Sequence, residues 1–191
     1  MDNHKEAILQ ATMALIEEKG EHVQEITIRE ICKKAGVGLG LVHYYFENKD
    51  ALIEQCIARM ISGMVKRFQD IREKTEGLTP FEKLEYLGNM TLDFLFEHHT
   101  ISKISILADM QAPKEMDNTD RTYAAYLPLM AACCPSLDEA TVKRKTLYLI
   151  AIMQQMFLRC ETISQTLGID LRNKEARKTL HAQILHDILE G

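Results

Sequence analysis

Apolar residues recur every three or four positions along most of the chain, and short breaks containing glycine or proline separate these stretches. This spacing is typical of amphipathic helices, whose apolar stripe faces a core. The first stretch covers residues 3–19 and ends at Gly20, the position expected of a C-terminal cap. Its apolar face consists of Ala7, Ile8, Ala11, Leu15 and Ile16. The pattern predicts an all-α protein that begins with this helix.

Longer helices are predicted for the rest of the chain, over residues 50–74, 81–98, 101–110, 118–132, 137–167 and 171–189. The stretch 137–167 has the clearest period, because its apolar positions alternate steps of four and three. These positions are Val142, Thr146, Leu149, Met153, Met156, Cys160, Ile163 and Leu167. Such a seam can pack lengthwise against another helix, either within one protomer or in a second copy of the chain.

Two short helices joined by a glycine-containing turn are predicted between residues 27 and 45. Thr27 and Glu30 have the spacing of a capping box, in which hydroxyl and carboxylate each satisfy an unpaired amide at a helix start. Gly36 suits the left-handed backbone that ends this helix, and a second helix follows over residues 38–45. Together they form a helix-turn-helix unit, whose second helix can lie in a DNA major groove.

The second of these helices has an unusual composition. Gly38 and Gly40 leave its backbone bare, which costs helix stability but allows close approach to another surface such as a DNA groove. Rings with hydrogen-bonding tips follow near its far end, at His43, Tyr44 and Tyr45. Lys49 then stands in the first turn of the next helix, where the helix dipole disfavours a cation, so a DNA phosphate explains it better than helix stability does.

These residues resemble the DNA-binding signature of the tetracycline-repressor (TetR) family of bacterial regulators. The resemblance covers Ile31 to Leu52 and is carried by Ala35-Gly36-Val37, Gly40, Tyr45-Phe46 and Lys49-Asp50-Ala51-Leu52. The sequence also departs from the family pattern. The family usually has Ser or Thr in place of Gly38, often a polar residue in place of Leu39 and Leu41, and commonly Tyr in place of His43.

The resemblance implies a three-helix DNA-binding head, residues 1–49, followed by a helical effector-binding and dimerisation domain, residues 50–191. It also implies a homodimer formed by the last two helices, for which the expected interface residues are Leu149, Met156, Ile163, Leu180, Ile184 and Ile188. A small apolar or amphipathic effector is expected to bind in the second domain and to lower DNA affinity. Adaptable apolar residues that could line its pocket, or equally form ordinary core, are Met90, Phe94, Met110, Tyr123, Tyr126, Met153 and Phe157.

On this interpretation the chain is a ligand-responsive repressor that binds a palindromic double-stranded operator. Phosphate contacts are expected from Thr27, Tyr44, Tyr45 and Lys49, and base contacts from Gly38, Leu39, Gly40, Leu41 and His43. Leucine offers no hydrogen bond, so Leu39 and Leu41 would read groove shape and thymine methyl groups. The alternative for both leucines is packing within the head. A separate alternative for the whole chain, favoured by its acidic balance and by leucines at groove-facing positions, is a helical ligand-binding or protein-interaction module without sequence-specific DNA binding.

Composition narrows the other function classes. The net charge of −5 disfavours strong nonspecific DNA binding, although residues 27–49 carry four basic residues against two acidic ones. Neither a catalytic constellation nor a metal-ligand spacing is apparent, and the adjacent His98 and His99 point in different directions on a helix. We therefore expect no enzyme, no cofactor and no metal. Five cysteines without a paired spacing, and no apolar run long enough for a bilayer, favour a reduced cytoplasmic protein. Only Cys133 and Cys134 raise the possibility of thiol sensing.

Overall fold

The computed structural model describes residues 3–69 and 75–190 and, within them, the side chains outside residues 21 and 61–69. All regular structure in these ranges is helical, which confirms the predicted all-α class. The described helices are α1 (Asn3–Lys19), a 3-10 helix (Gly20–Glu25), α2 (Ile28–Ala35), α3 (Leu39–Tyr45), α4 (Lys49–Gln69), α5 (Pro80–Glu97), α6 (His99–Gln111), α7 (Asn118–Cys133), α8 (Glu139–Leu158), α9 (Cys160–Leu167) and α10 (Lys174–Glu190). None of the described helices combines the length and the apolar character needed to cross a bilayer.

The predicted helices are found with two differences. The stretch 137–167 is not one helix, because the backbone leaves helical geometry at Arg159 (φ −114°, ψ 29°) and restarts as α9. The 3-10 helix after α1 has too few residues to show an apolar period, so the sequence pattern did not predict it. The helix predicted over residues 50–74 is found as α4, and residues 70–74 lie outside the described ranges.

The chain divides into two compact units, Met1–Arg67 and Phe68–Gly191. In the first unit, α1 packs on α2 and the N-terminal half of α4 closes the same core. Arg59 on α4 donates two hydrogen bonds of 2.7 Å to the carboxylate of Glu6 on α1. The buried Cys56 thiol lies 3.6 Å from the Leu9 carbonyl, to which it donates, and burial raises its pKa to about 12. The functional boundary expected between residues 49 and 50 stays a prediction.

In the second unit, α5 packs against α6, α7, α8 and α10 around one apolar core. Leu149 and Met156, both expected at a dimer interface, are buried in this core and present no surface to a second copy. The first positions of the apolar seam therefore pack inside one protomer, because α5, α7 and α10 cover that face of α8. The remaining expected interface residues are partly exposed, namely Ile163, Leu180, Ile184 and Ile188.

Polar side chains of α5 and α10 contact each other where the two helices pack together. The buried guanidinium of Arg177 donates to Asp93 at 2.9 Å and lies over the Phe96 ring, 4.3 Å from its centroid. One turn further along α10, the Nδ1 atom of His181 is 3.1 Å from the Asn89 Oδ1 atom. The His181 ring is fully buried, and its Nε2 atom has no hydrogen-bond partner among the described residues. Burial lowers the pKa of this imidazole from 6.5 to about 4, so it is neutral at pH 7.

Gly88 makes room for this ring. A methyl group at Gly88 would lie 2.0 Å from His181 Cε1 and 2.2 Å from Nε2. We expect Gly88→Ala to lower the free energy of unfolding by about 2 kcal/mol, since the added methyl group would force the fully buried ring to shift. In a His181→Ala background the same change should raise it by up to about 1 kcal/mol, because alanine is the better helix former. Urea unfolding of the four proteins in this cycle measures both values, and equal effects in the two backgrounds would contradict the predicted contact.

His181 should also make stability depend on pH. The unfolded chain binds a proton at this residue below about pH 6.5, whereas the folded chain does so only below about pH 4. The contribution of His181 to the free energy of unfolding is therefore complete above pH 6.5. It is lost as pH falls, by about 1.4 kcal/mol per pH unit and about 3 kcal/mol in all. Between pH 4 and 6.5 the free energy of unfolding of the His181→Ala variant should change less steeply with pH. The difference in slope should correspond to at most one proton taken up on unfolding. Parallel curves for the two proteins would refute this assignment.

Candidate nucleic-acid interface

The capping box predicted at the start of α2 is present. The Glu30 amide donates to the Thr27 hydroxyl at 3.2 Å, and the Thr27 amide donates back to the Glu30 carboxylate at 2.8 Å. Lys19 on α1 lies 3.1 Å from the other carboxylate oxygen. The hydrogen bond from the Thr27 amide, with smaller contributions from its hydroxyl and from Lys19, lowers the pKa of Glu30 to about 2. These contacts fix the start of α2 and leave the Thr27 side chain exposed.

The turn between α2 and α3 depends on Gly36. Its backbone is left-handed (φ 67°, ψ 32°), a region that costs other residues free energy. The Val37 amide then donates to the Cys32 carbonyl at 3.1 Å, which completes the end of α2. Gly38 is extended (φ −76°, ψ 152°) and precedes α3 without offering a side-chain cap. The helix-turn-helix predicted from the sequence is therefore found with the expected turn chemistry.

Helix α3 is anchored by Val42, which is buried, and by Phe46, which follows the helix and is also buried. The opposite side faces outward. Leu39 is 50% exposed and Tyr44 is 78% exposed, so Leu39 does not pack within the head. Gly38, Gly40 and His43 are exposed as well, whereas Leu41 and Tyr45 are partly covered. Every candidate residue of α3 is thus at least partly exposed.

The glycines in and before α3 are explained by different physical causes. Gly36 is needed by its left-handed backbone. A methyl group at Gly38 or Gly40, in contrast, would meet no atom within 4 Å, and neither residue has a positive φ. Packing within the described part of the unit therefore does not require glycine at either position. A bare backbone at Gly40 costs stability, so its use is better explained by a surface outside the protein.

Ring contacts hold Tyr44 and Tyr45 in place. The rings of Tyr44 and Tyr45 meet edge to face with centroids 4.9 Å apart, and Tyr45 meets the buried Phe46 ring at 6.5 Å. Aromatic pairs of this geometry contribute about 0.5–1.5 kcal/mol beyond the area they bury. The stack therefore limits the rotamers of Tyr44 and leaves its hydroxyl in solvent, where it can donate to or accept from a ligand.

Lys49 has a partner that the sequence pattern did not reveal. Its ammonium donates to the Gln24 carbonyl in the 3-10 helix at 2.8 Å. The Asn48 side chain caps α4 by accepting from the Ala51 amide at 2.8 Å. A phosphate is therefore not needed to account for a cation in this first turn. Because an ammonium has three donors, two N–H groups of Lys49 are still available to a phosphate from a position that the Gln24 contact fixes.

The residues expected to line an effector pocket differ in burial. Tyr126, Met153 and Phe157 are buried in the core, where the Tyr126 hydroxyl donates to Thr91 Oγ1 at 2.7 Å and burial raises its pKa. Met110 is 48% exposed on α6. The other three, Met90, Phe94 and Tyr123, are half-buried. Cys133 is half-buried and Cys134 is buried, and burial raises the pKa of the Cys133 thiol to about 11, which disfavours the reactive thiolate.

Substitutions at two glycines should separate backbone strain from surface contact. Gly36→Ala should lower the free energy of unfolding by about 1 kcal/mol or more, because it places a side chain in the left-handed region. Gly40→Ala should raise it by about 0.5 kcal/mol, since alanine favours the helix and meets no neighbour. Chemical unfolding followed by circular dichroism gives both values. A loss of stability in Gly40→Ala would mean that the protein itself needs this glycine.

Comparisons with known proteins agree with this geometry. Residues 8–56 match the family model described as bacterial regulatory proteins, tetR family. The chain is 31% identical over 97 residues to the uncharacterized HTH-type transcriptional regulator YxbF of Bacillus subtilis, and 37% identical over 57 residues to the HTH-type transcriptional regulator BetI of Yersinia pestis. These alignments cover 51% and 30% of this chain. They span only 25% and 28% of the two relatives, about a quarter of their lengths.

Solved structures share the fold over nearly the whole chain. A TetR transcription regulator from Haloarcula marismortui superposes with a TM-score of 0.69 at 19% identity, covering 100% of this chain and 98% of that one. The regulator FadR from Bacillus subtilis, solved in complex with stearoyl-CoA, gives 0.57 at 18% identity, covering 97% of both chains. The helix-turn-helix segment thus matches the tetR family model, and the chain as a whole shares the fold of a solved TetR transcription regulator.

Proposed function

We propose that this protein is a transcriptional regulator that binds a two-fold symmetric DNA operator as a homodimer and acts as a repressor until a small effector releases it. The observation that carries the proposal is the exposed side of α3. It presents glycine backbone and aromatic side chains on a helix that the buried Val42 and Phe46 hold in place. No catalytic step, cofactor or metal belongs to this function. Its place is the cytoplasm, where a bacterial chromosome is accessible.

In this proposal α3 enters the major groove, and residues at its end and beside it contact the DNA backbone. Thr27, Tyr44, Tyr45 and Lys49 contact phosphates, which set register without reading sequence. Gly38, Leu39, Gly40, Leu41 and His43 lie against the bases. The exposed Leu39 side chain has no hydrogen-bonding atom, so its preferred neighbour in the groove is the methyl group of thymine.

A homodimer is supported by apolar surface on α8. Leu147 and Tyr148 are 56% and 55% exposed, on the side of α8 that does not enter the core. Ile184 and Ile188 on the adjoining α10 are only partly covered. We propose that these residues, together with Ile163 and Leu180, meet the same surface of a second copy. A two-fold dimer then presents two α3 helices to two half-sites, as a palindromic operator requires.

The effector is proposed to be small and apolar or amphipathic. The similar fold of a regulator solved with stearoyl-CoA supports this chemical class. Since Tyr126, Met153 and Phe157 are buried, an effector that reaches them must bind a second arrangement of these helices. Release from DNA follows only if the effector binds that arrangement more tightly than the DNA-bound one.

Two properties favour a second candidate function. The chain is acidic overall, and the apolar Leu39 stands where a groove-binding helix commonly carries polar residues. Both features would suit a helical module that binds a ligand or another protein and no longer recognises DNA. This candidate predicts no sequence-specific complex at any salt concentration.

Selection from a random double-stranded DNA library tests the proposal with the full chain. We expect a two-fold symmetric consensus with half-sites about one helical turn apart and with thymine at the steps that face Leu39. Failure to enrich any sequence at two salt concentrations would favour the second candidate. A consensus rich in guanine at those steps would overturn the role of Leu39.

The Gly40→Ala variant tests the proposed docking mode. Its added methyl group should leave the fold at least as stable but hold the α3 backbone away from the groove. We expect its affinity for the selected operator to fall at least tenfold, about 1.4 kcal/mol, by fluorescence anisotropy. Unchanged affinity would show that α3 does not approach DNA through this residue.

A further inference from the structure

Polar side chains from three helices of the second unit contact one another. The Asn118 amide group on α7 donates to Ser105 Oγ on α6 at 2.9 Å. The backbone amide and the hydroxyl of Thr119 on α7 both donate to Asp109 Oδ2 on α6 at 2.9 Å. Gln154 on α8 donates to the same Thr119 hydroxyl at 3.2 Å. Hydrogen bonds between side chains therefore join α6, α7 and α8 at this place.

Two atoms on this face of α6 have no hydrogen-bond partner among the described residues. Ser102 is buried, 2% exposed, and its hydroxyl is unpaired. Asp109 Oδ1 is the second, because both donors from Thr119 go to Oδ2. Seven residues separate Ser102 from Asp109, so they lie within about 20° of each other around α6 and about 10 Å apart along it. The face that they share is turned to α7, because Ser105 and Asp109 contact α7 there.

The unpaired hydroxyl of Ser102 is not explained by stability. A buried hydroxyl without a hydrogen bond destabilises a fold, and alanine at this position would remove that cost. A ligand group that donates to the hydroxyl or accepts from it would satisfy it instead. The hydroxyl is therefore an indication of a ligand that does not depend on the charges nearby.

The charges around Asp109 favour a cation as its ligand. Among the described residues, no basic side chain forms an ion pair with this carboxylate. Burial raises the pKa of Asp109, the hydrogen bonds from Thr119 oppose the rise, and the carboxylates of Asp117 and Asp120 add to it. An ammonium group would compensate this concentration of negative charge, whereas a carboxylate or a phosphate would be repelled by it.

We propose that the face of α6 bearing Ser102 and Asp109 binds the polar groups of the effector, and that the effector is an amphipathic amine. Its ammonium binds Asp109, and a second hydrogen-bonding group about 10 Å away binds Ser102. This inference rests on the proposed effector response and specifies the chemical class of the effector. Because α6 and α7 meet here through hydrogen bonds, the amine enters by exchanging some of them for its own.

The position of the site suits a regulatory role. Gln154 connects Thr119 of α7 to α8. Helix α8 carries the exposed Leu147 and Tyr148, which belong to the proposed dimer surface. An amine that separates α7 from α6 would therefore change the support of the helix that sets the arrangement of the two protomers.

The compound 8-amino-1-octanol is a suitable probe, because its extended chain holds an ammonium and a hydroxyl at a comparable separation. Octylamine lacks the hydroxyl, and 8-hydroxyoctanoate carries a carboxylate in place of the ammonium. Isothermal titration calorimetry of the full chain without DNA measures the three affinities. We expect 8-amino-1-octanol to bind about fivefold more tightly than octylamine and at least about tenfold more tightly than 8-hydroxyoctanoate.

Two variants assign the groups of the probe to their partners. Asp109→Asn keeps an oxygen for the donors of Thr119 but removes the charge, so the affinity for both amines should fall about tenfold or more. Ser102→Ala should lower the affinity for 8-amino-1-octanol about fivefold and leave that for octylamine unchanged. Its melting temperature should not fall, which separates loss of a ligand contact from loss of structure.

Glu115→Gln is the matched control. It removes an exposed carboxylate from the segment between α6 and α7 without touching the hydrogen bonds of Asp109. All three affinities should be unchanged in this variant. Circular dichroism melts of every variant exclude unfolding as the cause of a loss.

The outcomes distinguish this inference from the proposed function. The inference is overturned, with operator recognition left intact, if 8-amino-1-octanol does not bind at millimolar concentration or binds no better than 8-hydroxyoctanoate. Unchanged amine affinity in Asp109→Asn, or an equal loss in Glu115→Gln, overturns it as well. A chain that binds the amine through Asp109 but forms no specific complex with any selected DNA retains the site and overturns the proposed regulator.

Discussion

The left-handed backbone at Gly36 is the constraint on which the candidate DNA-binding surface depends. It ends α2 after eight residues and redirects the chain, so that Val42 returns to the core while Leu39 and Tyr44 remain outside. A residue with a side chain would adopt this conformation only at a cost in free energy. The outward direction of α3 thus follows from one backbone conformation, together with the buried side chains that anchor both ends of the turn.

Local rules predicted the first unit well because its signals are local. The Thr27–Glu30 capping box and the Gly36 turn each involve residues within four positions of one another. The partner of Lys49 could not be predicted in this way, because the Gln24 carbonyl lies 25 positions away and on a 3-10 helix without an apolar period. The same limit hid the pairing of Lys34 with Glu18, which are 16 positions apart.

The second unit shows where periodicity is ambiguous. The four-three seam on α8 could serve a second copy or the interior of one protomer, and spacing alone does not distinguish them. Burial places Leu149 and Met156 in the interior, because three other helices cover that side of α8. The apolar residues left outside, Leu147 and Tyr148, fall next to the seam rather than on it. Likewise, composition suggested that Tyr126, Met153 and Phe157 could form a pocket, whereas their positions depend on packing between distant segments.

The buried polar contacts between α5 and α10 restrict how the proposed effector could act. Apolar side chains tolerate small sliding movements, but the Arg177–Asp93 pair and the His181–Asn89 contact are satisfied at only one register of the two helices. Gly88 reinforces this restriction, since a shift along α5 would bring a side chain against the His181 ring. The second unit therefore resists gradual deformation at this packing. An effector that rearranges its helices must either preserve the α5–α10 register and move other elements, or break several buried polar contacts together, which would make the change abrupt rather than graded.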